Sequence, residues 1–502
     1  MGSISPAKPK EETHHVHPSG WENDPEEERF KLSLFDPIIL VVYCHFALYF
    51  RLDDDAEQKE TVATVLREGL EKTLSQVRHL CGTIEKDKGG GFSFVKKRDT
   101  TVKYVVKWLD TPEYPSIDHI EGASFSCKSL GDLSQWGLKE MPYGEGRPES
   151  SPHNSPLNSG FQLNFVRGGA VFSSHVHHWA ADLTGWSNFV RQLADNCRAI
   201  YAARGTTKNI SFPPWDPACI DVSRFVRQLP AESLVDGPPV APRHPGHPKE
   251  QQALLFHLPK SKAARLKALA TPEDGSFWVS TYDAMCAFIW RHLTRARAPY
   301  YKADPSSPAP YFGQSVDMRP RFHDPDPPRR MIRNMLTGGF SDATPGLPLP
   351  TVGELASAEV PLSAPAGYVR RLTDSVTQAG VERALGYIAT LRDQQSVSFN
   401  LMSKPPMAFF VTDHRPADVA GCDFGFGAPI THRFLTGDSI SPNMTLVYPP
   451  ARKAGSGGGG GGGGDGDDDE GTVWSITMEK DVVPKLLGDP EWSEYFEYRG
   501  VD

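Results

Sequence analysis

The chain has 502 residues, 39% of them hydrophobic and 23% charged, with a formal net charge of −9. Such a composition belongs to a folded chain rather than a disordered one, and the length exceeds what a single core fills, so two or more domains are expected. The negative balance argues against a nucleic-acid footprint, which needs a concentrated basic surface, but leaves room for a local basic pocket around an anionic ligand.

Residues 1–28 are polar, hold His14, His15 and His17 close together, and read as a disordered tail. No basic segment followed by an apolar one opens the chain, so no secretory signal is read and the cytosol is the expected compartment. The longest apolar run, residues 37–50, contains His45 and is too short to span a bilayer; a buried strand is expected there, and no membrane partner. Over residues 60–81, Val62, Val65, Leu66, Leu70, Leu74 and Val77 recur at helical spacing. Strands are expected over 92–94 and 102–108, a Pro-, Ser-, Asn- and Gly-rich loop over 141–159, and two strands over 161–165 and 170–176 joined by a Gly168-Gly169 turn. Trp186, Phe189, Val190, Leu193, Cys197 and Ile200 then share one helical face.

Residues 204–247 are proline-rich and aperiodic, and read as the crossover between an N-terminal domain (29–203) and a C-terminal domain (248–502). In the second half, strands are expected over 254–258, 313–318, 408–411, 444–448 and 473–478. A helix over 280–293 has Ser280 or Thr281 placed to cap it, and 368–391 is mostly helical although weakened by Gly380 and Gly386. Residues 455–471, a glycine run followed by acids, have too much backbone entropy to fold and read as a disordered insertion. A phosphate cradle is the sharper alternative, but no Lys-Ser/Thr follows and the acids repel phosphate. The seven cysteines are scattered without a CxxC pair, as free buried thiols in a reducing compartment would be.

The run His177-His178-Trp179-Ala180-Ala181-Asp182-Leu183-Thr184-Gly185 places an imidazole four positions before a carboxylate, where a strand gives way to a helix. Imidazole is the side chain best suited to take a proton near neutral pH. Asp182 either orients His178 directly or turns away to hold the loop through an arginine, and spacing does not separate the two. A packed loop is the bland alternative. A metal site at His175, His177, His178 and Asp182 is the other, although no further ligand cluster accompanies it. No GxSxG elbow or reactive cysteine setting is present, so a base acting without a protein nucleophile implies direct transfer.

The segment from His178 to Asp182 resembles the HxxxD motif of the BAHD acyltransferases, and Asp423-Phe424-Gly425-Phe426-Gly427 resembles that family's DFGWG with Phe426 for Trp. Leu32-Ser33-Leu34-Phe35-Asp36 is similar to its LSxxD opening, the segment from Ser280 to Trp290 to its STxDALxAFLW helix, and Asp317-Met318-Arg319-Pro320-Arg321 to its DxRxR strand. The chain is similar in flavour to the fungal, trichothecene 3-O-acetyltransferase-like enzymes of secondary metabolism. Departures are Leu183 in place of Gly, Asp413-His414 in place of a Ser-Trp pair, and a YFGN segment split between Tyr311-Phe312-Gly313 and Arg333-Asn334.

The resemblance implies an α/β fold of two chloramphenicol-acetyltransferase-like domains, each a mixed sheet flanked by helices, with an active-site channel at their interface. It implies acyl-CoA, in the form of acetyl-CoA, as co-substrate with no tightly bound cofactor and no metal. A small hydroxylated acceptor and a monomeric state complete the expectation. His178 corresponds to the general base and Asp182 to a structural or orienting residue paired with Arg319. Arg319, Asp423, Gly425, Gly427, Thr412 and Asn334 are the candidate CoA-binding or channel residues, Thr412 or Asn334 being the candidate oxyanion donor. Arg319, Arg321, Arg329, Arg330 and Arg333 are candidates for a basic CoA rim. The rival readings are a stand-alone condensation enzyme using carrier-protein thioesters and a non-catalytic binding protein of the same fold.

Overall fold

Two large sheets with packed helices dominate the computed structural model, which describes residues 9–206, 209–247, 250–436, 443–452 and 469–502. The first has six strands in the order Glu11–Val16, Val102–Trp108, Ser159–Val166, Gly169–His177, Tyr43–Arg51 and Thr431–Phe434. The second has seven, in the order Leu336–Phe340, Phe312–Asp317, Phe409–Asp413, Met444–Tyr448, Thr472–Glu479, Gln251–Leu258 and Glu497–Val501. Both are mixed: Val102–Trp108 runs parallel to Ser159–Val166, and Phe409–Asp413 runs parallel to both of its neighbours. A three-stranded sheet of Glu27–Lys31, Phe92–Lys97 and Thr83–Lys86 stands apart.

The strand Tyr43–Arg51 is covered on both faces, which is why its sequence is a nearly continuous apolar run rather than an alternating one. Phe46, Leu48 and Phe50 enter the core under the helices Ala56–Gln76 and Leu183–Ala203, while Ala47 and Tyr49 face a second layer containing Phe125 and Trp136. Both helices are capped by a carboxylate: Asp55 accepts from Gln58 N and Asp182 from Gly185 N. The motif aspartate therefore begins a helix immediately after a central strand ends. In the second half, Ser280 and Asp283 form a capping box that starts Thr281–Tyr301, whose Phe288, Trp290 and Leu293 fill the other large core.

Several expectations are corrected. The segment expected as a disordered tail holds the strand Glu11–Val16, paired antiparallel with Val102–Trp108. It is an edge strand with mostly solvated side chains, so its polar sequence conflicts with no core; Lys10 lies 3.7 Å from the Trp108 ring centroid, and His17 stacks on Trp21 at 4.1 Å. The first sheet also takes Thr431–Phe434 from the C-terminal half, in register with Phe46 to Tyr49, so a boundary at 248 does not separate the two sheets. The helix expected over 368–391 is two helices, Ser363–Ser375 and Gln378–Ile388, with Thr377 capping the second through Gly380 N at 3.1 Å. The break lies at the cap and not at the glycines. Most of the expected glycine-rich insertion falls outside the described residues; at its end, Asp469 accepts from Ser261 N at 2.7 Å. Among the described residues no helix is long and apolar enough to cross a membrane, and all seven cysteines are free thiols.

Candidate active site

The loop after Gly169–His177 is clamped from several sides. His178 N–H donates to Val42 O at 2.9 Å. His177 is fully buried; its Nε2 lies 2.9 Å from Ser150 O and its Nδ1 accepts from Trp179 N at 3.1 Å. Those bonds set its tautomer with the proton on Nε2 and make it a loop brace, with burial holding its pKa down at about 4. Asn334 Nδ2 meets three carbonyl or carboxylate oxygens, His178 O at 3.0 Å, Trp179 O at 2.7 Å and Asp36 Oδ1 at 3.0 Å. Asp36 is itself wholly buried and accepts from Arg333 Nη2 at 3.0 Å and Ser33 N at 2.7 Å. Asp36, Arg333 and Asn334 thus hold the loop that carries the imidazole.

Asp182 is 2% exposed and fully engaged. Oδ1 accepts from Gly185 N at 2.7 Å and Arg319 Nη2 at 2.9 Å; Oδ2 accepts from Met335 N at 2.9 Å and Arg319 Nη1 at 3.1 Å. None of its hydrogen bonds goes to His178. The carboxylate joins the loop, the first turn of the following helix and the C-terminal half of the chain. Gly185 is required by the same close approach, since a Cβ there would lie 1.9 Å from Ile332 O.

His178 lines a cavity of about 580 Å³ between the two sheets. One wall comes from Val42 to Phe46, the other from Ser315 to Asp317, Thr412 to His414 and Leu446. Nδ1 of His178 is buried without a hydrogen-bond partner among the described residues, which leaves Nε2 as the nitrogen available to a ligand. Burial pushes the imidazole below its ordinary value of 6.5, outweighing the carbonyls of His178 and Ala181 and the Asp182 charge, so the ring is neutral at pH 7 and able to accept a proton. Thr412 lines the same cavity, and its hydroxyl has no hydrogen-bond partner among the described residues. His414 lines it too, 4% exposed, held neutral by burial at a pKa of about 3. Asp413 is tied to Arg415 through both carboxylate oxygens, at 2.8 and 2.6 Å.

Most of the other residues singled out from the sequence sit elsewhere. Asn334 does not line the cavity, and its amide donors are consumed by the loop, so it is a positioning residue and not an oxyanion donor. Arg319 is bound to Asp182 and to Asp317 at 2.9 Å and holds the two halves together instead of facing an anion. Of the expected basic rim, Arg321 lines the cavity and Arg329 is exposed, while Arg330 and Arg333 are held in ion pairs. Arg333 pairs with Asp36, Arg330 with Asp195 at 2.7 Å, and Arg321 donates to Thr373 O and Val376 O. Asp423, Gly425 and Gly427 lie away from the cavity. Asp423 accepts from Gly425 N at 2.8 Å, and Gly425, at φ +88°, lets the turn press on Tyr201, where a Cβ would come within 2.5 Å. Phe424 and Phe426 pack on Phe50 at 5.3 and 5.6 Å, so this turn anchors the returning chain to the first core just ahead of Thr431–Phe434. Sequence reasoning missed the roles of Asp36, Arg333 and His177, although Asp36 stands in a recognised motif.

Comparison with known proteins agrees with this geometry. Residues 162–457 match the Transferase family, and residues 42–197 match the trichothecene 3-O-acetyltransferase-like N-terminal domain. The chain is 48% identical to acetyltransferase FGR3 of Gibberella zeae, over 98% of this chain and 95% of that one. It is 26% identical to trichothecene 3-O-acetyltransferase TRI101 of Fusarium sporotrichioides, over 92% and 95% of the two chains. In fold it is similar to F. graminearum TRI101 complexed with ethyl coenzyme A, with a TM-score of 0.73 at 22% identity, covering 94% of this chain and all of that one. It is also similar to vinorine synthase, with a TM-score of 0.61 at 17% identity, covering 97% and 98%. The chain belongs to the BAHD-type Transferase family and is an acyltransferase of its two-domain, chloramphenicol-acetyltransferase-like fold.

Proposed function

We propose that this protein transfers an acetyl group from acetyl-CoA to a hydroxyl of a small secondary metabolite, with His178 as general base and no acyl-enzyme. The observation that carries the reading is the His178 ring at the wall of a cavity between two sheets, its loop held by the hydrogen bonds of Asp182, Arg319 and Asn334, with burial favouring the neutral imidazole. The acceptor hydroxyl donates to Nε2, and its oxygen attacks the thioester carbonyl as the proton passes to the imidazole. The resulting oxyanion accepts from a donor on the cavity wall, for which Thr412 Oγ1 is the candidate; such donors are worth about 2.7–4 kcal/mol elsewhere. Collapse breaks the carbon–sulfur bond, and the imidazolium returns its proton to the departing thiolate. Asp182 and Arg319 take no part in these steps and keep the ring in place.

The relatives support the donor and the acceptor class. FGR3 is named an acetyltransferase, TRI101 crystals hold coenzyme A with T-2 mycotoxin or deoxynivalenol, and other relatives are named eremophilane O-acetyltransferases. Seven free cysteines suit a cytosolic enzyme, and we propose that it acts there as a monomer. The test is thiol release from acetyl-CoA against a panel of hydroxylated terpenoids and polyketides, with mass spectrometry of the products. The expected result is acceptor-dependent CoA release with one added acetyl group; no release with any acceptor, alongside turnover of carrier-protein thioesters, would overturn it.

A further inference from the structure

The steps above use His178 as base and Thr412 as the oxyanion's donor, and they leave His414, which lines the same cavity, without a task. His414 follows the strand Phe409–Asp413, and its N–H donates to Val447 O at 2.8 Å, one step beyond the pairing with Met444–Tyr448. Its imidazole is held among other rings. It stacks on His432 at 5.9 Å with the planes 12° apart and meets the edge of Tyr448 at 5.3 Å. Phe46 and Phe434 lie 6.3 and 6.4 Å away. Nδ1 is buried without a hydrogen-bond partner among the described residues, which leaves Nε2 as the nitrogen available to the cavity. The charged group beside the ring is the Arg433 guanidinium, which has only donors and is itself bound to Thr431 Oγ1 and His432 O, at 2.8 Å each. Burial first, and that cation second, keep the ring neutral, with a pKa of about 3.

A neutral imidazole carries one N–H and one lone pair. Orphaned N–H groups are rarer in protein interiors than under-used acceptors, so the proton belongs on Nε2, where the contents of the cavity accept it. His414 therefore shows the cavity a donor, whereas a base at His178 needs a lone pair there. The two rings come from different sheets, His178 from the end of Gly169–His177 and His414 from the end of Phe409–Asp413. Two residues of strand, about 6–7 Å, separate Thr412 from His414, so a group that reaches His414 lies away from the reacting carbonyl. Neutrality sets the chemical class. The ring has no charge with which to balance a carboxylate, and Arg433 does not line the cavity. We propose that His414 recognises the acceptor, its Nε2–H donating to an uncharged ketone, ether or ester oxygen carried apart from the reacting hydroxyl. The assignment rests on the acetyl-transfer reading above and adds that the acceptor is a further-oxygenated alcohol and not a monofunctional one.

Long-range nitrogen–proton NMR of the full-length protein, isotope-labelled in histidine, reads the tautomer directly, with His414 assigned by its absence from His414→Gln. The ring proton is expected on Nε2 at both pH 7 and pH 5. That resonance is expected to move on addition of trans-4-methoxycyclohexanol and to stay still with trans-4-ethylcyclohexanol, which has the same size and lacks the ether oxygen. In acetyl transfer from acetyl-CoA the wild type is expected to favour the ether roughly tenfold in kcat/KM, the scale of a hydrogen bond whose loss leaves a buried donor unpaired. His414→Leu is expected to lose that preference, and His414→Gln, which keeps an N–H donor, to regain part of it. A proton on Nδ1, a resonance unmoved by the ether, or the same preference in wild type and His414→Leu overturns the assignment. A resonance that responds to the ether, in a protein that acetylates neither probe nor any alcohol of the panel above, supports the role of His414 and overturns the acetyl-transfer reading, so the two failures are distinguishable.

Discussion

His178 and His177 are adjacent, yet their surroundings divide them. His177 has both ring nitrogens engaged and no face on the cavity, whereas His178 has a buried Nδ1 without a partner and lines the cavity. A double-histidine sequence does not separate the two rings; the register of Gly169–His177 against Tyr43–Arg51 does, because it pairs His177 with Tyr43 and leaves His178 beyond the last pair. Burial lowers the His178 pKa below 6.5, so the ring stays able to accept a proton into mildly acidic conditions. The acid limb of the kcat/KM–pH profile, which reports the free enzyme, is therefore expected to have its midpoint below 6.5. A midpoint at or above that value would mean that another group governs the limb or that the ring is solvated.

The helix Leu183–Ala203 shows what the motif aspartate does. Asp182 caps the helix, fixes Met335 N and closes a buried ion pair with Arg319, three tasks that lie on elements far apart in the chain. Removing one partner of such a pair leaves the other charge buried and uncompensated. Arg319→Ala is expected to lower stability by about 3–5 kcal/mol in denaturant unfolding and to lower turnover with it. An unchanged midpoint with reduced kcat would instead make Arg319 a contact of the substrate. Elements of this kind were unevenly legible. Long apolar runs such as the one within Tyr43–Arg51 and the periodic stripe of Ala56–Gln76 announce themselves by composition and spacing. Thr431–Phe434 does not, because a four-residue strand containing His432 and Arg433 carries no usable alternation, and Glu11–Val16 does not, because an edge strand is permitted to be polar.

At the scale of the molecule, the two sheets are joined by exchange and not by contact alone. Thr431–Phe434 leaves the second half to complete the first sheet, the Asp423 turn pins it there, and Asp36–Arg333 and Asp182–Arg319 cross between the halves. None of these pairings is visible in sequence spacing; the last came from resemblance to a family, and the rest come from tertiary structure. The same packing buries several imidazoles in neutral form, His175 and His414 at pKa values of about 3 and His177 at about 4. Their unfolded counterparts titrate near 6.5, so the unfolded chain binds more protons below that pH and stability falls as pH drops from about 6.5 toward 3–4. Each such histidine costs about 2 kcal/mol at pH 5 relative to neutrality. The melting temperature is expected to fall markedly between pH 7 and pH 5; an unchanged value would show that these rings are charged or solvated in the native state.

The most direct test of the central claim is acceptor-dependent CoA release by His178→Ala compared with wild type, once an acceptor is in hand. Loss of a general base typically removes about 10²–10⁴-fold in rate, and that loss is expected in kcat with the melting temperature and CoA affinity retained. Turnover within a few-fold of wild type would contradict the assignment of His178 as the base.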